Sequence, residues 1–245
     1  MRLGLVLFVL LAAVLGACGG GKASAPPDAE AGLRAQLERS RHGSSHVIYQ
    51  LHDEGFDNPN LDWKIEWRNQ GVTSKRVRVT PTSDQADQPR DFDLIMTTKD
   101  WIAACAENAR ITLGNSTQLP NGPACVRGSF AENAADVLFL VSGLTPPAKS
   151  EAEATQPIDL SDVKIQGVSQ RRYASKRATC YQVLSTGKNG PNEQVETCWA
   201  DDGTVLFRAS KSSLGTRQLE AVEVIGTPAK DADFQLPYPL VKVGD

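Results

Sequence analysis

Past its first fifteen or so residues the sequence has no second apolar run of membrane-spanning length, which excludes a helical membrane domain. It also lacks a basic band. Its 26 Lys and Arg are scattered among 29 Asp and Glu, and a net charge of −3 distributed this way argues against a surface that neutralises nucleic-acid phosphates. The densest cationic group, Arg171-Arg172 with Lys176-Arg177, reads as the wet face of a strand. No Gly-x-Ser-x-Gly elbow, Walker loop or dinucleotide fingerprint occurs, so nothing points to catalysis. Histidine is confined to His42, His46 and His52 with no ligand set beside it, and reads as a solvated edge. Asp53, Glu54, Asp57 and Asp62 lack the calcium-loop arrangement and read as a loop facing water. No catalytic residue, metal or cofactor is expected.

What is present begins at the N-terminus. Met1-Arg2 is a short cationic start, Leu3 to Leu15 is almost unbroken apolar sequence, and Leu15-Gly16-Ala17-Cys18 is a small-residue junction ending in cysteine. Leu3 to Ala17 is about 15 residues, short of the roughly 17–25 that a spanning helix needs. The tetrad resembles the bacterial lipobox, in which the cysteine receives diacylglycerol, the chain is cut before it, and the freed amine is acylated. An ordinary secretory signal or an anchor helix would not require this order of charge, run length, small residues and cysteine. The resemblance makes residues 1–17 a signal peptide, Cys18 the first residue of the mature protein, and 18–30 a Gly- and Pro-containing tether ahead of a folded domain over 31–245. Each buried CH₂ contributes about 0.8 kcal/mol, so two or more long chains hold stably where one is marginal. The expected location is the extracytoplasmic face of the cell membrane. Removal of Arg2 with the signal leaves 228 residues at a formal charge of −4.

With Cys18 assigned to lipid, Cys105, Cys125, Cys180 and Cys198 remain, an even number in a compartment where disulfides persist. Three pairings are open. Pairing near neighbours, 105 with 125 and 180 with 198, closes two loops of about 20 residues worth roughly 3 kcal/mol each. A zinc site is disfavoured by the missing Cys-x-x-Cys. The segment from Cys180 to Cys198 is symmetric about Asn189 as a hairpin, and that register sets the two cysteines opposite one another.

Periodicity supplies the elements. Asp28 to Arg41 reads as a helix with Asp28 as N-cap and Leu33 and Leu37 on one face. His46 to Asp53, Trp63 to Trp67, Thr73 to Thr80 and Phe92 to Thr98 alternate as strands, with Asn69-Gln70-Gly71 as a turn. Asp100 to Arg110 is ambiguous between a helical turn and irregular structure. Phe130 to Leu144 is the clearest helix, apolar nearly all round and stopped by Gly143. A polar connector over Pro147 to Pro157 follows, then strands at Asp162 to Val168, Arg171 to Val183, Gln194 to Ala200, Thr204 to Ser210 and Leu219 to Gly226, with a turn at Asp201-Asp202-Gly203.

The lipobox, the early helix, the paired strands, the middle helix, Thr179-Cys180-Tyr181-Gln182-Val183, the strand–Asp-Asp-Gly–strand unit running to Leu206, and the ending Asp233-Phe234-Gln235-Leu236-Pro237 together resemble the LolA/LolB-like lipoprotein superfamily, nearest to actinobacterial envelope lipoproteins of the LppX/LprG type. The resemblance implies an α+β fold, a strongly curved antiparallel sheet forming an unclosed barrel with helices covering its concave face. It further implies a non-catalytic protein that holds a lipid, glycolipid or other hydrophobic ligand between sheet and helices. On that reading Trp63, Trp67, Val137, Phe139 and Leu140 border the ligand. The alternative is an anchored interaction or sensing module whose groove is filled by side chains and whose partner is another envelope protein. Empty apolar volume under the Phe130–Leu144 helix separates the two readings.

Overall fold

A computed structural model describes residues 25–55, 58–72, 74–82, 91–97, 101–113, 119–145, 148, 151–185, 193–213 and 215–241. Cys18 with the signal sequence, Asp57, the hairpin tip at Asn189 and the side chain of Leu140 lie outside the described residues.

After helix α1 (Ala29–His42) come β1 (Ser44–Gly55), β2 (Asn58–Gln70), β3 (Ser74–Pro81), β4 (Phe92–Thr97) and β5 (Trp101–Ala106). A short helix α2 (Ala109–Leu113), strand β6 (Ala124–Val126), helix α3 (Ser129–Ser142) and the four-residue α4 (Glu151–Ala154) follow. The second run of strands is β7 (Val163–Tyr173), β8 (Lys176–Ser185), β9 (Glu193–Trp199), β10 (Val205–Ser212) and β11 (Gly215–Val224), and a 3-10 helix at Asp231–Phe234 precedes β12 (Leu240–Val241). These strands make a single sheet in the order β12-β6-β5-β4-β3-β2-β1-β11-β10-β9-β8-β7. β1 pairs with β2 on one side and β11 on the other, so the two runs share one sheet across the polar connector. Every pairing is antiparallel except the two-residue contact of β12 with β6. Among the described residues β7 and β12 each have one partner, and the sheet does not close.

Cα partners across the sheet sort its two faces. Tyr181, Thr197, Arg208, Leu219, Leu51 and Trp63 form a row on one face, and Cys180, Cys198, Phe207, Glu220, Gln50 and Lys64 form the adjacent row on the other. The first face carries the fully buried Val47, Tyr49, Leu51, Ile65, Val77, Val79, Leu94 and Met96. Helix α3 packs on it through Ala131, Ala135 and Leu138, and α1 covers it further along, setting Leu33 against Tyr181 and Trp199. α3 touches both β5 and β11, which stand five strand spacings apart in the sheet. Flat, that distance is about 24 Å at about 4.8 Å per strand, whereas a helix with its side chains is about 10–12 Å across. The sheet therefore wraps around α3, and the helix-bearing face is the concave one.

Both disulfides lie on the opposite, convex face. Cys105 is bridged to Cys125 and Cys180 to Cys198, each pair directly opposite in its ladder. Leu236 and Tyr238 pack over Cys105–Cys125, and Phe234 is buried. The 3-10 helix is held by Arg68 donating to the Asp233 carboxylate at 2.8 Å and Arg76 donating to the Asp233 carbonyl at 3.0 Å.

Several elements differ from the sequence-based expectation. The ambiguous stretch after Asp100 is strand β5 followed by α2. Arg171 to Val183 is not one strand: β7 ends at Tyr173 and β8 starts at Lys176, across a turn in which Ala174 and Ser175 hold φ of 45° and 66° without any glycine to signal it. The acidic set is not a water-facing loop, because Asp53 lies on the concave face of β1, buried against Arg217. Asp28 occupies the N-cap of α1 without a side-chain capping bond. The turn at 201–203 is as expected. Gly203 has φ of 85°, the Thr204 N–H donates to the Asp202 carboxylate at 2.8 Å, and an added Cβ at 203 would run into the backbone of Arg39 and Ser40 at the end of α1.

Candidate ligand cleft between the third helix and the sheet

α3 reaches the sheet with small residues. Ala131 and Ala135, one turn apart, are fully buried and allow close approach, and Leu138 fills the next position of the stripe. Phe139 sits edge-on to Trp67, with ring centroids 6.2 Å apart at 87°. The helix stops at Gly143, whose φ of 64° lets its N–H bond the Phe139 carbonyl at 2.8 Å. A side chain at 143 would overlap the guanidinium of Arg208 on β10. Glycine here serves both the helix stop and this close approach.

Between this end of α3 and strands β9 to β11 lies a cavity of about 250 Å³. Phe139 and Leu219 give it an apolar side, and Ser142, Ser210, Glu193, Arg208 and Arg217 give it a polar one. An engineered apolar cavity of about 150 Å³ accommodates benzene, and drug-sized ligands occupy about 300–1,000 Å³. The cleft is therefore sized for one head group with a short stretch of chain. Arg217 is opposite Asp53 in the β1–β11 ladder and approaches its carboxylate at 3.4 Å. Burial lowers the Arg208 pKa from its ordinary value, and the nearby Glu193 partly opposes that shift.

A second void, about 30 Å³, sits near Tyr49, Trp67, Lys75 and Asp202 and has room for a water or two. Lys75 is buried there, its ammonium donating to Asn69 Oδ1 at 2.6 Å and the Gly71 carbonyl at 3.2 Å, 5.7 Å from the Trp67 ring. Burial holds its pKa down to about 8. The Tyr49 hydroxyl donates to the Val205 carbonyl at 2.7 Å. This void lies beside the end of α1 and the turn at 201–203.

The described residues thus form an open, mostly antiparallel sheet wound around a helix. No family model and no curated protein matches the chain by sequence. Among solved structures it is similar to MucB, at 14% identity and a TM-score of 0.49 over 86% of this chain and 63% of that one. It is also similar to the Mycobacterium tuberculosis lipoprotein LppX, at 12% identity and 0.44 over 82% of this chain and all of LppX, and to a LolA superfamily protein from Nitrosomonas europaea, at 9% and 0.35 over 84% and 96%. The chain thus spans about three fifths of the MucB structure.

Of the described residues expected beside a ligand, Phe139 alone lines the cleft. Trp67 is buried in the core and Trp63 packs partly buried against it, while Val137 points outward and is 49% exposed. The periodicity of α3 turns residue 137 away because Ala135 and Leu138 take the sheet-facing stripe. Sequence reasoning missed Arg208, Arg217, Glu193 and Ser210. A faint signal existed, since Arg208 and Ser210 are in phase with the buried Leu206, but charged strand residues ordinarily face water. The histidines do not form a solvated edge: His42 ends α1, and His46 and His52 lie on β1, which is paired on both sides, with His46 bonding Glu66 at 2.7 Å and His52 bonding Asp62 at 2.5 Å and Glu54 at 3.0 Å on the outer face.

Proposed function

We propose that this chain is a non-catalytic binding protein, tethered through acylated Cys18 to the outer face of a cell membrane, that takes part of an amphiphilic molecule into the cleft between α3 and β9–β11. The observation that carries the reading is the cavity itself, about 250 Å³ of space with Phe139 and Leu219 on its apolar side, in a position where the sheet and helix of a closed core would meet. A groove filled by side chains would favour the alternative, a module that uses only its outer surface. The tether rests on the order of charge, apolar run, small residues and cysteine in residues 1–18. No helix among the described residues is long and apolar enough to cross a membrane.

Native mass spectrometry of the protein purified from its own host in a mild detergent tests both halves at once. The covalent mass should correspond to cleavage before Cys18 plus acyl chains, and a further non-covalent mass should report a bound amphiphile. An uncleaved or unacylated mass refutes the tether. A bare folded mass after gentle handling refutes the cleft.

A further inference from the structure

Three partly covered arginines on the sheet, Arg68, Arg76 and Arg217, each have a carboxylate close by, at 2.8 Å from Asp233, 3.1 Å from Asp93 and 3.4 Å from Asp53 respectively. Arg208 differs. It projects from β10 into the cleft, and among the described residues its guanidinium makes one hydrogen bond, to Thr197 Oγ1 at 3.3 Å, and no ion pair. Glu193 lines the same cleft but lies beyond ion-pair distance. The end of α3 contributes a partial negative charge, yet none of its described carbonyls accepts a bond from Arg208. A guanidinium stays protonated, and enclosing it with its donors unfilled is costly. The shape of its surroundings preserves that exposure to the cleft, because Gly143 carries no side chain that would press against the fork. Ser142 adds a hydroxyl. Its oxygen accepts the Leu144 N–H at 3.2 Å, which leaves its O–H to donate.

We propose that Arg208 is the docking point for an anionic group, a phosphate or carboxylate, on the molecule that the cleft takes. This rests on the cleft reading above and adds the chemical class of what enters: an amphiphile with an oxyanion at its polar end. Two oxygens of one oxyanion match the two-pronged donor edge of a guanidinium, and charge-assisted bonds of this kind are about twice as strong as neutral ones. Arg217 faces the Asp53 carboxylate at 3.4 Å, whereas no carboxylate among the described residues pairs with Arg208.

The test is calorimetric titration of the full-length protein with octyl phosphate, octyltrimethylammonium, octanol and inorganic phosphate, repeated on Arg208→Gln. Octyl phosphate should bind about tenfold tighter than octyltrimethylammonium, and Arg208→Gln should erase that preference while leaving octanol binding unchanged. If inorganic phosphate binds as tightly as octyl phosphate and depends on Arg208, the docking point stands, its source is a free oxyanion, and the amphiphile reading falls. Octyl compounds binding with no charge preference, or with one that survives Arg208→Gln, overturn the docking point and leave the cleft. Failure of all four probes overturns both. Where Arg208→Gln does not fold, Arg208→Lys should weaken octyl phosphate severalfold and Glu193→Gln should strengthen it; no change in either refutes the proposal.

Discussion

Replacing Cys180 and Cys198 together with alanine should destabilise the protein by about 3 kcal/mol without touching the cleft. The bridge spans a sequence separation of 18, and the chain-entropy relation for a loop of that size gives about 0.6 kcal/mol from its constant and about 2.6 from its logarithmic term at 25 °C. For a domain of this size the loss corresponds to roughly 6–12 °C in melting temperature. The Cys105–Cys125 loop, separation 20, lies wholly outside the other, so the two losses should add to about 6 kcal/mol. Both bridges are on the convex face while Arg208, Phe139 and Leu219 face the concave one, so ligand affinity measured below the melting range should not change. Urea unfolding followed by tryptophan fluorescence, with and without the double substitution, reads the stability. Its denaturant slope should rise, because a chain released from its cross-link exposes more surface on unfolding. A loss below about 1 kcal/mol, or a loss of ligand at undiminished stability, would refute the reasoning, and so would non-reducing peptide maps joining Cys180 to any residue but Cys198.

Two further outcomes are expected. Gly143→Ala should cost about 1–3 kcal/mol, since φ of 64° is unfavourable for alanine, and should also displace Arg208; thermal melting checks the first effect. An unchanged melting temperature would show that the helix does not end as described. Lys75 releases its proton at about 8 when folded and near its ordinary value of 10.5 when unfolded. Between these values the unfolded chain holds the extra proton, so stability rises with pH, by about 2 kcal/mol from pH 8 to 10 at about 1.4 kcal/mol per unit. Burial raises the pKa of Tyr49 far above the usual range, which reverses the slope above pH 10 and sets the upper limit of the comparison. Urea midpoints across this window should climb in the wild type and stay level, at this position, in Lys75→Met; parallel profiles would contradict the burial of the ammonium.

Alternation and turn chemistry were enough to read most of the strands. Val47, Tyr49 and Leu51 at period two, the Cys180–Cys198 register, and Asp201-Asp202-Gly203 are local patterns whose consequences appear unchanged in the sheet. The turn at Ala174-Ser175 was hidden because neither residue advertises positive φ, and β5 was hidden because Trp101 to Ala106 reads as neither a clean strand nor a clean helix. Lys75, in phase with Val77 and Val79, was visible as an inward position, but its partners Asn69 and Gly71 come from the neighbouring strand and its turn.

The order of residues by itself determined the lipobox-like start, the even set of four cysteines, a helix read over Phe130 to Leu144 and its stop at Gly143, because each depends on neighbours within a few positions. Only the folded chain decided which face was concave, that both disulfides lie on the other, and that Arg208, Phe139 and Leu219 share a cleft. Those facts depend on β1 pairing with β11 and on a sheet that bends around α3. Such pairings join residues more than 150 positions apart, and no local period records them.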